Sequence, residues 1–158
     1  MNELIFRNVN ILDGTGAPAF AGDVSVSGGR INEVGNVTQG LASNGREIDA
    51  AGATLAPGLI DTHAHDDGAF FRHPGMEFKL AQGVTTVVSG NCGFSAIPAD
   101  PTQDSVAASG GILAGLEGQF TDLDGYFAAA LERGPAINNM MLVGHNTVRS
   151  LVMGGEKR

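Results

Sequence analysis

The chain has 158 residues, enough for one domain with a core, and its 17 acidic against 9 basic side chains leave a formal net charge of −8. That balance argues against nucleic acid and anionic membranes as partners, since both favour basic surfaces. No apolar stretch approaches bilayer length, no basic-then-apolar leader opens the chain, and one cysteine excludes an internal disulfide, so a turn-rich cytoplasmic protein is expected.

Residues 4–12 form an apolar, partly alternating run closed by Asp13-Gly14-Thr15-Gly16, and read as a strand. Residues 23–27 alternate with Val24 and Val26 on one face. Gly28-Gly29 makes a two-residue hairpin turn, and residues 30–35 return. Residues 36–46 are polar and Gly-rich and read as a loop; residues 47–50 are a further strand.

From residue 55 the pattern changes to strand, helix, strand, beginning with a short buried strand over residues 55–60. A first crossover helix is expected within residues 70–82, starting after Pro74 and stopped by Gly83. Residues 84–88, all valine and threonine, suit a strand buried on both faces. Residues 98–118 read as a long loop with a short helix near 112–116. Asp122 caps a helix over residues 123–133, with Leu123, Tyr126, Phe127, Ala130 and Leu131 on one face. Residues 140–143 form a third strand ending at Gly144-His145.

Two short phrases carry the chemistry. Asp61-Thr62-His63-Ala64-His65-Asp66-Asp67 ends the strand before the crossover, and strand alternation puts His63 and His65 on one face. Two imidazoles so placed can share a cation; two surface histidines on a loop is the plainer reading. Ser89-Gly90-Asn91-Cys92-Gly93 follows the next strand, where a thiolate would add a soft, anionic ligand. Its glycines let the backbone turn sharply and aim the thiol inward, and an inert buried thiol is the alternative.

Pro57-Gly58-Leu59-Ile60-Asp61-Thr62-His63-Ala64-His65 resembles the opening strand of the amidohydrolase superfamily. The run from Gly83 through Asn91-Cys92-Gly93-Phe94 to Ser95 is similar to the N-acyl-D-amino-acid deacylase (D-aminoacylase) branch. So is Leu142-Val143-Gly144-His145-Asn146-Thr147-Val148-Arg149. The resemblance extends from near residue 1 to the end of the chain.

It implies an α/β fold: residues 1–54 as part of a small β-sandwich, and residues 55–158 as the first three β/α units of a (β/α)8 TIM barrel. Such a barrel usually takes about 250 residues, so the resemblance implies the N-terminal portion of a longer enzyme. It implies zinc, as one or two ions held by His63, His65 and Cys92, and a small-molecule N-acyl amino acid as substrate. Linear amide hydrolysis would release a carboxylate and a D-amino acid. The general-base aspartate, two further histidines and the rest of the barrel are expected beyond residue 158, so this chain alone should be inactive. His145, Asp66 and Asp67 are candidates to line the site, although the two aspartates read better as solvated loop carboxylates. Asp61 is expected to accept a hydrogen bond from a histidine or a backbone amide, and His73 to be a loop residue with no role. Asn146 departs from the family phrase, which more often has glycine after this histidine. A cyclic-amide hydrolase of the dihydroorotase or hydantoinase kind, or a non-catalytic truncated remnant, are the competing readings.

Overall fold

A computed structural model describes residues 2–100 and 120–153. The chain divides into two compact units, Met1–Pro57 and Gly58–Arg158. The helix expected near residues 112–116 lies outside the described residues.

The first unit is a mixed five-stranded sheet among the described residues. Strands β1 (Asn2–Ile11), β2 (Phe20–Ser27), β3 (Arg30–Gly35) and β4 (Leu41–Asp49) lie in the order β3-β2-β1-β4, and β5 (Thr54–Leu55) also pairs with β1. Gly28 and Gly29 have φ of 57° and 70°, the left-handed pair that a two-residue hairpin between twisted strands requires. Strand β4 starts within the segment expected to be a loop. Its parallel register with β1 slips between Asn2 and Leu4, and that bulge absorbs the polar, Gly-containing stretch. Alternation buries Val9, Ile11 and Val24 as a small apolar cluster, against which Phe6 and Leu55 pack.

The expected buried strand over residues 55–60 is two pieces. Leu55 joins the first sheet opposite Ile11, and Pro57-Gly58 interrupts the run before β6 (Leu59–Asp61). Leu59 and Ile60 are 58% and 61% exposed, and β6 is the edge of its sheet among the described residues.

In the second unit β6, β7 (Val84–Ser89) and β8 (Asn138–Met141) form a parallel three-stranded sheet in that order. The helices between them make this unit α/β. The single crossover helix expected after Pro74 is instead two short turns, α1 (Ala69–Arg72) and α2 (Glu77–Leu80). His73-Pro74-Gly75 separates them, since proline disfavours helical backbone in the residue before it. Gly83, with φ 79°, ends the segment as expected.

Strand β7 is buried at Val87 and Ser89 and only partly so at its other positions. Helix α3 (Leu123–Glu132) is capped by Asp122, whose Oδ1 accepts from Gly125 N at 2.7 Å. It buries Tyr126 and Ala130, one turn apart, while Leu131 is 70% exposed on the flank. Strand β8 begins two residues earlier than expected and stops where β7 stops, at the Ser89–Met141 pair. Helix α4 (His145–Met153) follows. Phe70, Met76, Val87, Ile97 and Tyr126 form the centre of the apolar core, with Phe71 and Phe120 packed against it. No helix among the described residues is long and apolar enough to cross a membrane.

Candidate metal centre

The site lies where β6 and β7 end, and short-range bonds shape both loops. After β6 the chain bends at once: Asp61 Oδ1 accepts from His63 N at 3.2 Å, the backbone-amide option foreseen for this carboxylate. Ala64 tucks inward, 4% exposed, and its N–H donates to Val88 O at 3.0 Å. The histidines on either side of Ala64 therefore sit beside the end of β7. They lie just past the strand, not on it, so the bend brings them together where strand alternation was expected to.

After Ser89, Gly90 turns the chain with φ 79°, and an added Cβ there would collide with the Leu142 carbonyl. Cys92 has φ 56° within a single 3-10 turn, Asn91–Gly93. Such a conformation is uncommon for a side-chain-bearing residue and concentrates at functional positions. Asn91 joins the two loops. Its Nδ2 donates to Val88 O at 2.7 Å and to Ala64 O at 3.4 Å.

These loops place His63 Nε2 3.2 Å from Cys92 Sγ, and the His63 and His65 ring centroids 5.7 Å apart. Donor atoms of His63, His65 and Cys92 all lie within 4.8 Å of one another. Zinc bonds of about 2.0–2.3 Å at tetrahedral angles put neighbouring donors roughly 3.3–3.8 Å apart, a spacing the His63–Cys92 pair approaches at 3.2 Å and the trio as a whole reaches with a small inward shift. His65 Nδ1 is buried without a hydrogen-bond partner among the described residues, as an imidazole nitrogen reserved for another ligand would be. Two imidazoles and a thiol make a borderline-soft set that suits zinc better than magnesium or calcium.

The surrounding carboxylates are engaged, which corrects the reading of Asp66 and Asp67 as solvated. Lys79 on α2 lies 2.7 Å from Asp61 Oδ2 and 2.9 Å from Asp66 Oδ2. Burial alone would lower the Lys79 pKa, but its bonds to the two aspartates outweigh that and raise it. The Asp61 carboxyl is held below the ordinary range, first by Lys79 and then by the His63 amide. Asp67 is fully buried; its Oδ1 accepts from Ala96 N at 2.9 Å, and burial pushes its pKa up. Below it, Tyr126 OH donates to Asp67 O at 2.8 Å and accepts from Asn139 Nδ2 at 3.1 Å.

His145 opens α4, exposed and outside the donor trio. Its neighbour Asn146 reaches the site backbone, with Nδ2 3.5 Å from Cys92 O. Thr147 Oγ1 accepts from Ser95 N at 2.9 Å, tying α4 to the cysteine loop. His73 is exposed and touches only the edge of Phe78 among rings of the described residues. Sequence reasoning missed Lys79 and Asn91. Asn91 stands beside Cys92 within the cysteine phrase, a signal that was available, whereas Lys79 lies on α2 and had none in the motifs.

A family model described as the amidohydrolase family matches residues 46–155. The chain is 41% identical over 151 residues to an N-acyl-D-glutamate deacylase of Alcaligenes xylosoxydans xylosoxydans, covering 96% of this chain and 30% of that protein. A crystal structure of N-acyl-D-glutamate deacylase from Bordetella bronchiseptica, complexed with zinc and a phosphonate inhibitor, superposes with a TM-score of 0.80 at 41% identity. That match covers 94% of this chain and 30% of the other. A D-aminoacylase crystal structure gives a TM-score of 0.82 at 38% identity, covering all of this chain and 33% of its own. The chain thus spans about a third of the length of the relatives it matches.

Proposed function

The chain belongs to the amidohydrolase family, and from that membership we propose that it supplies the first metal-binding loops of a hydrolase of linear amides. The substrate class is the N-acyl-D-amino acids, cleaved to a carboxylate and a free D-amino acid. The observation that carries this reading is the convergence of His63, His65 and Cys92 on a volume one cation could occupy. The relatives' names supply the substrate class, and the zinc in the deacylase crystal structure supplies the metal.

In this reading His63, His65 and Cys92 hold zinc. The bound ion supplies Lewis acidity toward water and toward a carbonyl oxygen. The chain's own residues orient the donors. Asp61 fixes the His63 backbone, Asn91 sets the spacing between the histidine and cysteine loops, and Thr147 secures the loop beyond Cys92. His145 and Asn146, at the start of α4, border the Cys92 side of the centre and are proposed to face substrate. The three parallel strands are the opening strands of a (β/α)8 barrel, and Met1–Pro57 is part of a small β-sandwich. The general-base aspartate and the remaining histidine ligands belong to the longer polypeptide that the relatives' length implies. The lone thiol fits a reducing compartment, and we place the enzyme in the cytoplasm.

Equilibrium dialysis with zinc tests the reading. The purified chain should bind zinc, Cys92→Ser should lose it, and neither should hydrolyse an N-acetyl-D-amino acid. Binding that ignores the Cys92 substitution would remove the basis of the assignment, and turnover by this chain alone would overturn the placement of the general base.

A further inference from the structure

Lys79 stands outside the donor trio yet holds both ends of the loop that carries the histidines. Asp61 and Asp66 bracket His63-Ala64-His65, and the Lys79 ammonium, with its side chain 16% exposed, contacts one oxygen of each. The other oxygen of Asp61 accepts from the His63 amide. Helix α2 has four residues and none of them is buried; Phe78 and Leu80 are 44% and 40% exposed. Lys79 is therefore not positioned as a by-product of a packed helix face. Its two ion pairs are the specific ties that α2 makes to the loop.

The chemistry of the loop gives those ties a purpose. Two carboxylates within two residues of the histidines are hard oxygen donors, the kind that suits manganese, magnesium and calcium. Released from Lys79, either could swing onto a cation held by the imidazoles, drawn by the charge. Held by it, they are absent from the donor trio, which contains only nitrogen and sulfur. Two carboxylates this close also repel each other, and the ammonium between them removes that repulsion.

We propose that Lys79 is a positioning residue that keeps Asp61 and Asp66 off the cation held by His63, His65 and Cys92, and thereby sets the preference of that centre for zinc over harder metals. The proposal rests on the assignment of those three residues as ligands.

The test compares zinc and manganese binding to the purified chain by equilibrium dialysis, with cobalt as an optical probe of thiolate ligation. Wild type should show a thiolate-to-cobalt charge-transfer band and prefer zinc strongly. Lys79→Met should keep the band but narrow the zinc-to-manganese ratio at least tenfold, mainly by tightening manganese. Lys79→Arg, which keeps the charge, should hold a ratio near wild type. The triple variant Asp61→Asn/Asp66→Asn/Lys79→Met should restore it, because the competing oxygens are gone. Lys79→Gln, whose amide can still donate to one carboxylate, is read in the same way should Lys79→Met fail to fold. An unchanged ratio, an equal loss for both metals, or a triple variant that stays unselective would each overturn the proposal. No cobalt band in wild type would instead defeat the ligand assignment itself, and the role of Lys79 with it.

Discussion

The two units differ in how they treat their buried polar groups. In the first, charges close on one another: Arg7 pairs with Asp23 at 2.8 Å and Glu47 at 3.1 Å, and Asn8 bonds both Asp23 and Asp49. In the second, Lys79 likewise pairs with Asp61 and Asp66, but His65 Nδ1, Asp67 Oδ2, Ser89 Oγ and Asn139 Oδ1 are buried without a hydrogen-bond partner among the described residues. His65 and Asp67 lie on the histidine loop, Ser89 ends the strand leading to Cys92, and Asn139 is on the next strand. An unpaired buried polar atom is costly, and folds keep few of them. A region that gathers several around metal-type donors has left its chemistry open, whereas these polar groups of the sheet bond one another. The larger apolar core lies under the open region, where the offsetting stabilisation is needed.

Removing part of that core should produce the largest effect. Phe70 is fully buried at its centre, and Phe70→Ala should cost about 3–5 kcal/mol. Ile5, equally buried in the sheet, offers the mild counterpart: Ile5→Val should cost about 0.5–1.5 kcal/mol. Tyr126 is the only tyrosine, the chain lacks tryptophan, and it packs in the same core, so its fluorescence in a urea titration reports the second unit directly. A Phe70→Ala loss no larger than that of Ile5→Val would mean the site unit is loosely packed, and the contrast would weaken.

The same contrast explains what the sequence made legible. The Gly28-Gly29 hairpin, the Asp122 cap and the Gly83 stop are local, the glycines set by left-handed backbone that few residues adopt and the cap by a side-chain acceptor, and each is where the pattern puts it. The trio of His63, His65 and Cys92 was legible because the residue types are rare and each phrase closes one of two successive strands. Burial was not legible: Leu59, Ile60 and Leu131 are apolar but exposed, since burial depends on what covers a face. Strand β8 opens with Asn138-Asn139, poor strand formers, two residues ahead of the apolar run that marks it in the sequence. Tertiary bonds hold it, Asn138 Nδ2 to Thr85 O at 3.2 Å and Asn139 Nδ2 to the Tyr126 hydroxyl. Asp66 and Asp67 read as solvated because a run of carboxylates usually is. Only the fold shows that α2 brings a lysine to one, and that Ala96 covers the other.

A smaller effect should come from the amide that joins the two site loops. Asn91→Ala removes the Nδ2 bonds to Ala64 O and Val88 O while leaving all three donors in place. Metal affinity should fall about 10–100-fold, as it does when an outer partner that orients ligands is lost. Asn8→Ala removes a comparable amide from the sheet and should leave affinity unchanged. Zinc titration of the two variants settles the point; equal losses would show that affinity follows general stability and not loop spacing.

The smallest predicted effect is a difference in acid response, and its sign differs between the units. The Asp23 carboxyl is held down by Arg7 first and by the Asn8 amide second. Its contribution to stability is present above the ordinary carboxylate value of about 3.9, and is lost as pH falls through the lowered folded value. The Asp67 carboxyl is pushed up by burial, so the folded state binds that proton more tightly than the unfolded chain does. Its contribution is complete below about 3.9 and is lost as pH rises through the raised folded value. Asp67→Asn keeps an oxygen for the Ala96 amide and removes the titration. Wild type and Asp67→Asn should therefore converge at low pH and separate as pH rises, with the variant the more stable at neutral pH. The slope of that separation is limited to about 1.4 kcal/mol per pH unit for one proton. Thermal melts followed at Tyr126 would read the difference. A difference that stays constant with pH would mean that Asp67 carries no charge penalty in the fold, and the second unit would then hold one fewer open polar group than its buried atoms imply.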